Sequence, residues 1–361
     1  MEIKEEKMLD TISLKIVVEE PTGEYLEIEV MNRIKNVIER LPYCDLRFKG
    51  DNYINIRMSY PRFYSQTNAF LISSPSECLN VNKALIESII EELSINPVFY
   101  EFFINKVTFI LTRVDVAFTY MMENFREFYQ YRNIYIILDA IYRSINKTSI
   151  PKEIGVIESN CVETLIFTDS SNISNYNNKI TIYNQAKKIS DYYQKNQPAL
   201  YKQVIQEFPD LYQRMRIEGS KRVRRKGFLY NEWINFNIYG CYISKIGEYI
   251  LNNLFNAPIA NIIYNTNKEE LKQLLRKERY SINFNYETFI YKHKDIILDY
   301  ELIRQAIMEL SAYNLNTGYH ACSTVRRVLE DLQSRTGVIY FGVIKLLNDI
   351  QYKIIEGMNK C

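Results

Sequence analysis

The sequence predicts an α+β fold: an antiparallel β-sheet flanked by helices, followed by a helical C-terminal region. Three observations predict it. Up to about residue 240, stretches in which apolar and polar residues alternate are interleaved with stretches of helical period. Beyond Tyr239 the alternating stretches fade and only helical periods remain. Hydrophobic residues make up 47% of the 361-residue chain, enough for a proper core and too many for a disordered chain.

The elements follow in order. Residues 10–17 alternate polar and apolar as a half-buried strand does. Glu24 to Val30, with Leu26, Ile28 and Val30 on one face, and Asn52 to Met58, with Ile54, Ile56 and Met58, read the same way. The period then changes: Val81, Leu85, Ile86, Ile89, Ile90 and Leu93 make one face of a helix over Asn80 to Leu93. Val107 to Tyr120 reads as a long strand and Phe125 to Ile145 as a helix. Thr164 to Thr168 and Lys179 to Tyr183 form an expected strand pair joined by the polar loop Asp169 to Asn178. Ala186 to Phe208 is helical with a break at Pro198, and Arg214 to Lys221 is a strand running into a basic turn. Helices are expected over Lys268–Lys277, Asp299–Ala312, Ser323–Gln333 and Phe341–Met358. A soft boundary near 240–260 divides the chain into residues 1–245 and 246–361.

Composition narrows the classes of function. The six cysteines are scattered without a CxxC pair, so neither a zinc spacing nor a disulfide framework is present. The first ten residues are charged and no run of 18 apolar residues occurs, so the reading is a cytoplasmic protein without a membrane partner. His293 and His320, 27 residues apart, are the only histidines, which argues against a histidine-rich metal site. Abundant Tyr, Ile, Asn and Lys match AT-rich codons, so a single tyrosine carries little weight among 30.

Charge is concentrated in one place. Arg214, Arg216, Lys221, Arg222, Arg224, Arg225 and Lys226 surround a single acid, Glu218, for a local charge of +6. Elsewhere 38 cations are outnumbered by 42 acids. Such focused charge suits a polyanion such as a nucleic-acid backbone. An acid set among cations stays ionised and can hold a metal or pair with an arginine.

Three strand segments combine into one pattern: Arg113-Val114-Asp115-Val116-Ala117, Ile180-Thr181-Ile182-Tyr183-Asn184-Gln185-Ala186-Lys187 and Arg214-Met215-Arg216-Ile217-Glu218. Residues two apart on a strand share a face, so Arg113 points with Asp115 and Arg216 with Glu218. The ordered set resembles the replication initiation factors of rolling-circle plasmids, the related relaxases of conjugative elements and the filamentous-phage-type replication proteins. Those families carry an Arg-x-Asp-[Leu/Val]-Ala strand, a Tyr-[Asp/Asn]-Lys strand end and an Arg-x-Glu strand. Met8 to Leu14 is similar to the start of the phage-type group, and the resemblance covers roughly residues 8–235.

The resemblance implies a rolling-circle initiator-like nuclease fold and a DNA replication initiator. Such a protein nicks one strand of a plasmid or phage-like origin, single-stranded or extruded as a hairpin, through a tyrosine that keeps the bond as a phosphoester. It implies Mg²⁺ or Mn²⁺ held by carboxylates, here Asp115 and Glu218. The nucleophile is expected in a Tyr-Trp-like context after the Arg-x-Glu strand. Tyr230, twelve residues after Glu218 and three before Trp233, is the first choice, with Tyr192, Tyr193 and Tyr212 as alternatives. Arg113, Lys187, Arg216, Lys221, Arg222, Arg224, Arg225 and Lys226 are expected on phosphates, and Phe228 and Trp233 on unpaired bases. A host helicase and polymerase are the implied partners, and a homodimer is compatible.

The pattern also departs from the family. Thr119 stands where a second acid is usual, Gln185 replaces the lysine of the Tyr-Asn-Lys end, and lysine is displaced to Lys187 and Lys188. Either Lys187 substitutes, or the chain binds DNA without efficient nicking. Three rivals therefore stand beside the initiator: a conjugative relaxase with the same chemistry, a non-catalytic origin-binding or regulatory protein, and a soluble structural protein with an incidental basic turn. An Arg-x-Asp strand also serves as a plain ion pair on a polar sheet face. Cys322 to Leu332 followed by Gly337 is compatible with a helix-turn-helix in which Arg326 and Arg327 face phosphate.

Overall fold

The computed structural model describes residues 9–122, 154–156, 162–168, 175–224 and 227–356, apart from isolated positions (66, 70, 73, 256, 313, 337, 339 and several beyond 343). The expected helix Phe125–Ile145, most of the loop Asp169–Asn178 and much of the expected helix Phe341–Met358 lie outside the described residues.

The first unit runs β1 (Leu9–Val18), α1 (Tyr25–Arg40), β2 (Cys44–Lys49), β3 (Tyr53–Ser59), α2 (Tyr60–Ser65), α3 (Pro75–Leu93), α4 (Pro97–Lys106) and β4 (Val107–Met121). Its strands lie in the order β2-β3-β1-β4, every neighbouring pair antiparallel. With the helices α1 and α3 joining strand to strand, this is the split βαβ arrangement. The second unit adds β5 (Ile154–Val156), β6 (Val162–Thr168), β7 (Asn178–Asn184), α5 (Gln185–Asn196), α6 (Pro198–Glu207), a 3₁₀ turn (Pro209–Gln213) and β8 (Arg214–Arg222). It extends the sheet to eight strands, β2-β3-β1-β4-β8-β7-β6-β5. Then follow α7 (Tyr230–Ile234), α8 (Ile238–Ile250), α9 (Ala257–Glu278), α10 (Tyr286–His293), α11 (Tyr300–Leu310) and α12 (Leu315–Thr336). The α+β class with a helical C-terminal region is thus observed.

Alternation sorts the sheet into two unlike faces. Ile12, Leu14 and Ile16 of β1, Ile54, Ile56 and Met58 of β3, Val114, Val116 and Phe118 of β4, and Met215 and Ile217 of β8 are buried in one cluster with residues of α1, α3, α7 and α8. The opposite face is polar. Val107 and Phe109 belong to the apolar face, whereas Arg113 and Asp115, at the same parity, do not. The register shift between Ser13 and Leu14 inserts Thr112 and inverts the alternation there.

A second core, around Leu271, Leu275, Phe289, Ile303, Val325 and Leu329, is built by α9 to α12. The sheet's own core reaches Ile250 and also takes in Leu298, Leu302 and Val343. A third, smaller cluster joins Ala69 to Ala186, Ile189, Val204, Phe208 and Leu211, seating the α5–α6 hairpin.

One expected strand is a helix. Glu24 to Val30 opens α1, because Val30, Ile34, Val37 and Ile38 continue its apolar residues at helical spacing. A seven-residue window contains too few turns to separate the two periods. Glu27, mostly buried, anchors the start by accepting from the Thr22 and Gly23 amides at 2.8 and 2.9 Å. The helix break at Pro198 falls at Gln197, with Pro198 opening α6. The hairpin β6–β7 pairs Thr164 with Tyr183 and Thr168 with Lys179.

Candidate functional site on the polar sheet face

The three motif segments become neighbouring strands, β4-β8-β7. Across them Ala117 lies opposite Glu218 and Glu218 opposite Thr181; Thr119 lies opposite Arg216 and Arg216 opposite Tyr183. Asp115 lies opposite Ser220, and Arg113 opposite Arg222. Directly opposed residues share a face, so the two acids, their arginines and Tyr183 all occupy the polar side. Asp115 and Glu218 are diagonal neighbours, with the small residues Ala117 and Ser220 between them.

The acids are differently held. Asp115 is fully buried, and Arg113 grips it with a two-pronged fork: Nε donates to Oδ1 at 2.6 Å and Nη2 to Oδ2. Arg57 of β3 adds a second cation at 3.9 Å. Glu218, 4% exposed, accepts from the Tyr183 hydroxyl at 3.2 Å and pairs with the Lys188 ammonium at 3.6 Å. Lys188 also lies over the Tyr183 ring, 3.9 Å from its centroid. Burial alone would raise the Glu218 carboxyl, but Lys188, Arg57, Lys179 and Arg113 outweigh it and hold it down at about 2. Tyr183 is pushed up to about 12, chiefly by burial. Lys188 is the lysine described at this strand end; the side chain of Lys187 lies outside the described residues.

A third acid joins this face. Asp10 sits where the register slips between Leu9 and Thr11, and the bulge turns it toward Glu218, Arg216, Lys188 and Arg57. Burial first, and Glu218 second, raise its carboxyl. The signal in the sequence was two successive polar residues, Asp10 and Thr11, in a strand that otherwise alternates.

Arg216 is fully buried and donates through Nη1 to the Asn68 carbonyl at 2.8 Å, while Arg214 reaches Asp210 and the Ala69 carbonyl. Both arginines thus tie β8 to the 67–69 loop, and Arg216 is not presented at the surface as a phosphate contact. Lys221 is half-buried, with its ammonium 3.3 Å from Asn178, and Arg222 and Arg224 are exposed. Arg225 and Lys226 lie outside the described residues.

The expected nucleophile and base-stacking rings are elsewhere. Tyr230 opens α7 and packs 6.0 Å from Phe103, on the apolar side of the sheet away from Glu218 and Asp115. Trp233 is completely buried, stacked on Phe109 at 6.1 Å, and Phe228 packs on Phe236 at 4.6 Å. These rings are core because strand 107–111, before the bulge, turns its aromatic residue to the helices. On the polar face it is Tyr183 whose hydroxyl meets the Glu218 carboxylate. Of the alternatives, Tyr212 is exposed in the 3₁₀ turn, and the side chains of Tyr192 and Tyr193 lie outside the described residues.

Oxygen donors for a hard cation are present, but not in the expected pair. Arg113 occupies both Asp115 oxygens, which leaves Glu218 and Asp10 as the acids of this face that would hold Mg²⁺ or Mn²⁺; such ions commonly take one or two carboxylates and complete their shell with phosphate and water. Among the described residues no group of three or more His, Cys, Asp or Glu is placed to hold a metal ion. In the helical region, Cys322–Leu332 lies within the single helix α12, where Val325, Val328, Leu329 and Leu332 face the core. Arg326 and Arg327 are exposed and pair with Glu330 at 2.9 Å and Glu287 at 3.9 Å.

No protein-family model, curated protein or solved structure matches the chain. Among the described residues no helix is long and apolar enough to cross a membrane.

Proposed function

We propose that the chain initiates rolling-circle replication by nicking one DNA strand at the polar sheet face, with Tyr183 as the nucleophile. The observation that carries this reading is the contact of the Tyr183 hydroxyl with the Glu218 carboxylate under the Lys188 ammonium. A hydroxyl becomes a nucleophile when a base in hydrogen-bond reach takes its proton. Glu218 orients the hydroxyl and relays its proton: as the Tyr183 oxygen bonds to phosphorus, the bond to the 3′ oxygen breaks and the proton ends on that leaving oxygen. The 5′ phosphate stays on the tyrosine and a 3′ hydroxyl is freed for a polymerase. Lys188 and the exposed rim cations Arg222 and Arg224 balance backbone charge. Mg²⁺ or Mn²⁺, when bound by Glu218 and Asp10, would polarise the scissile phosphate.

A second reading has its own observation. The Asp115 carboxylate is fully consumed by Arg113, and Glu218 is already ion-paired. Acids engaged in this way support a sheet that binds an origin without cutting it. Nicking of a supercoiled plasmid carrying a candidate origin, with Mn²⁺ or Mg²⁺, tests both. The expected result is nicking by the native chain and by Tyr230→Phe, and none by Tyr183→Phe or Glu218→Gln. Nicking retained in Tyr183→Phe removes the nucleophile assignment. Tight, salt-sensitive binding with no nicking by the native chain favours the second reading.

A further inference from the structure

The outer half of the sheet, beyond Glu218 and with Asp45 of β2 opposite Arg57, carries a different kind of surface. On β2, the edge strand, Phe48 is 57% exposed. It stacks on Tyr53 of β3 with centroids 5.6 Å apart and planes 28° from parallel. Lys15 of β1 places its ammonium 4.6 Å from the centroid of the Tyr53 ring. The register puts these groups on the polar face: Lys15 is opposite Asn55, and Asn55 is opposite Phe48. One step along, a second row crosses the sheet, with Arg57 opposite Ser13, Ser13 opposite Arg113 and Arg113 opposite Arg222. Arginines thus extend from the exposed aromatic pair to the edge of the Tyr183–Glu218 site. Neighbouring strands are about 4.8 Å apart, so from β2 to β8 this face spans about 19 Å.

An exposed ring backed by a second ring, with ammonium and guanidinium groups beside it, matches what unpaired nucleic acid requires. Bases stack on the aromatic face whatever their sequence, and the cations follow the backbone. Duplex DNA keeps its bases stacked on one another and offers none to Phe48. Charge complementarity therefore selects a polyanion, and the ring selects an unpaired one. We propose that the β1–β3–β2 face is a stacking platform for single-stranded DNA, with Phe48 as the stacking ring, Tyr53 its support, and Lys15 and Arg57 its backbone contacts. The choice of DNA rests on the nicking reading, and the platform would deliver the unpaired strand to Tyr183.

The test is fluorescence anisotropy with a dye-labelled oligothymidylate of about twelve nucleotides, within the site sizes such surfaces have, in chelator so that no cutting occurs. Phe48→Ala is expected to weaken binding about tenfold, as loss of one base–aromatic stack does. Phe48→Trp is expected to restore it. Lys15→Ala is expected to lower the salt slope by about 0.7, one phosphate contact on a single strand. Tyr25→Ala, which removes a ring 79% exposed at the start of α1, is expected to bind as the native chain does. Unchanged affinity in Phe48→Ala, or equal binding of a duplex of the same length, overturns the platform. Plasmid nicking separates the two readings. If cutting persists while Phe48→Ala binds normally, the platform falls and the nicking reading stands. If the platform behaves as expected and no plasmid is cut, the reverse holds.

Discussion

Replacing Asp115 with asparagine separates a structural acid from a metal ligand. Asp115 is fully buried, and its two oxygens accept the Arg113 fork while Arg57 stands 3.9 Å away. Asparagine keeps the shape but removes the charge and turns one acceptor into a donor facing Arg113. Breaking a buried pair costs about 3–5 kcal/mol. The Arg113 and Arg57 side chains are 23% and 31% exposed and can regain water, which places the cost at the low end, about 3 kcal/mol. With a urea slope of about 2–3 kcal/mol/M for a domain of this size, the midpoint should fall by roughly 1 M. Trp233 is the only tryptophan, and it is buried against Phe109 on the other side of the same sheet, so its fluorescence reports this unit. A double-mutant cycle with Arg113→Ala should give a coupling of about 2 kcal/mol, within the range for residues in direct contact. A midpoint shift below about 0.3 M, or a coupling near zero, would refute the reasoning. A variant of native stability that has lost metal-dependent nicking would return Asp115 to the metal.

Two further changes test the frame around the site. At Gly219, beside Glu218, an added methyl would sit 2.3 Å from Ile246 Cγ2 and 3.0 Å from Ile250 Cδ1 of α8, so Gly219→Ala should cost about 1–3 kcal/mol. Adding Ile246→Ala should recover part of that loss, and a double variant no more stable than the sum of the singles would contradict the clash. In the helical region, Asp299 caps α11, accepting from the Glu301 amide at 2.8 Å and from the Val343 amide at 2.9 Å through different oxygens. Asp299→Asn can satisfy only one of them, so thermal unfolding followed by circular dichroism should show a loss of about 1–2 kcal/mol; an unchanged melting temperature would count against the second contact.

The sequence was most legible where a pattern is local and long. The β6–β7 hairpin, the break at Pro198, the long strand β4 and helix α3 all follow from periodicity and from proline's missing donor. The pattern was misleading where it was short, as at Glu24–Val30, whose helical period shows only once Ile34, Val37 and Ile38 are counted. The adjacency of the Arg113, Tyr183 and Arg216 segments was implied by the resemblance, whereas alternation by itself shows only which side chains of one strand share a face. The identity of the tyrosine was not. Tyr230 and Trp233 stand close to Glu218 in sequence, yet the chain turns after the basic segment and lays α7 on the apolar face.

By itself, then, the sequence determined the α+β class, the residues that alternate, and Asp115, Glu218 and Tyr183 as the polar side chains of interest. Alternation is a property of neighbouring residues, and it needs no knowledge of the rest of the chain. The tertiary structure alone decided what each acid does. A single slipped residue at Thr112 turns Asp115 to the polar face, and another between Leu9 and Thr11 brings Asp10 to Glu218. Lys188 reaches Glu218 from a helix, and Tyr53 meets Phe48 and Lys15 from two other strands. Bulges and cross-strand partners depend on register, which is set by the packing of the whole sheet against its helices.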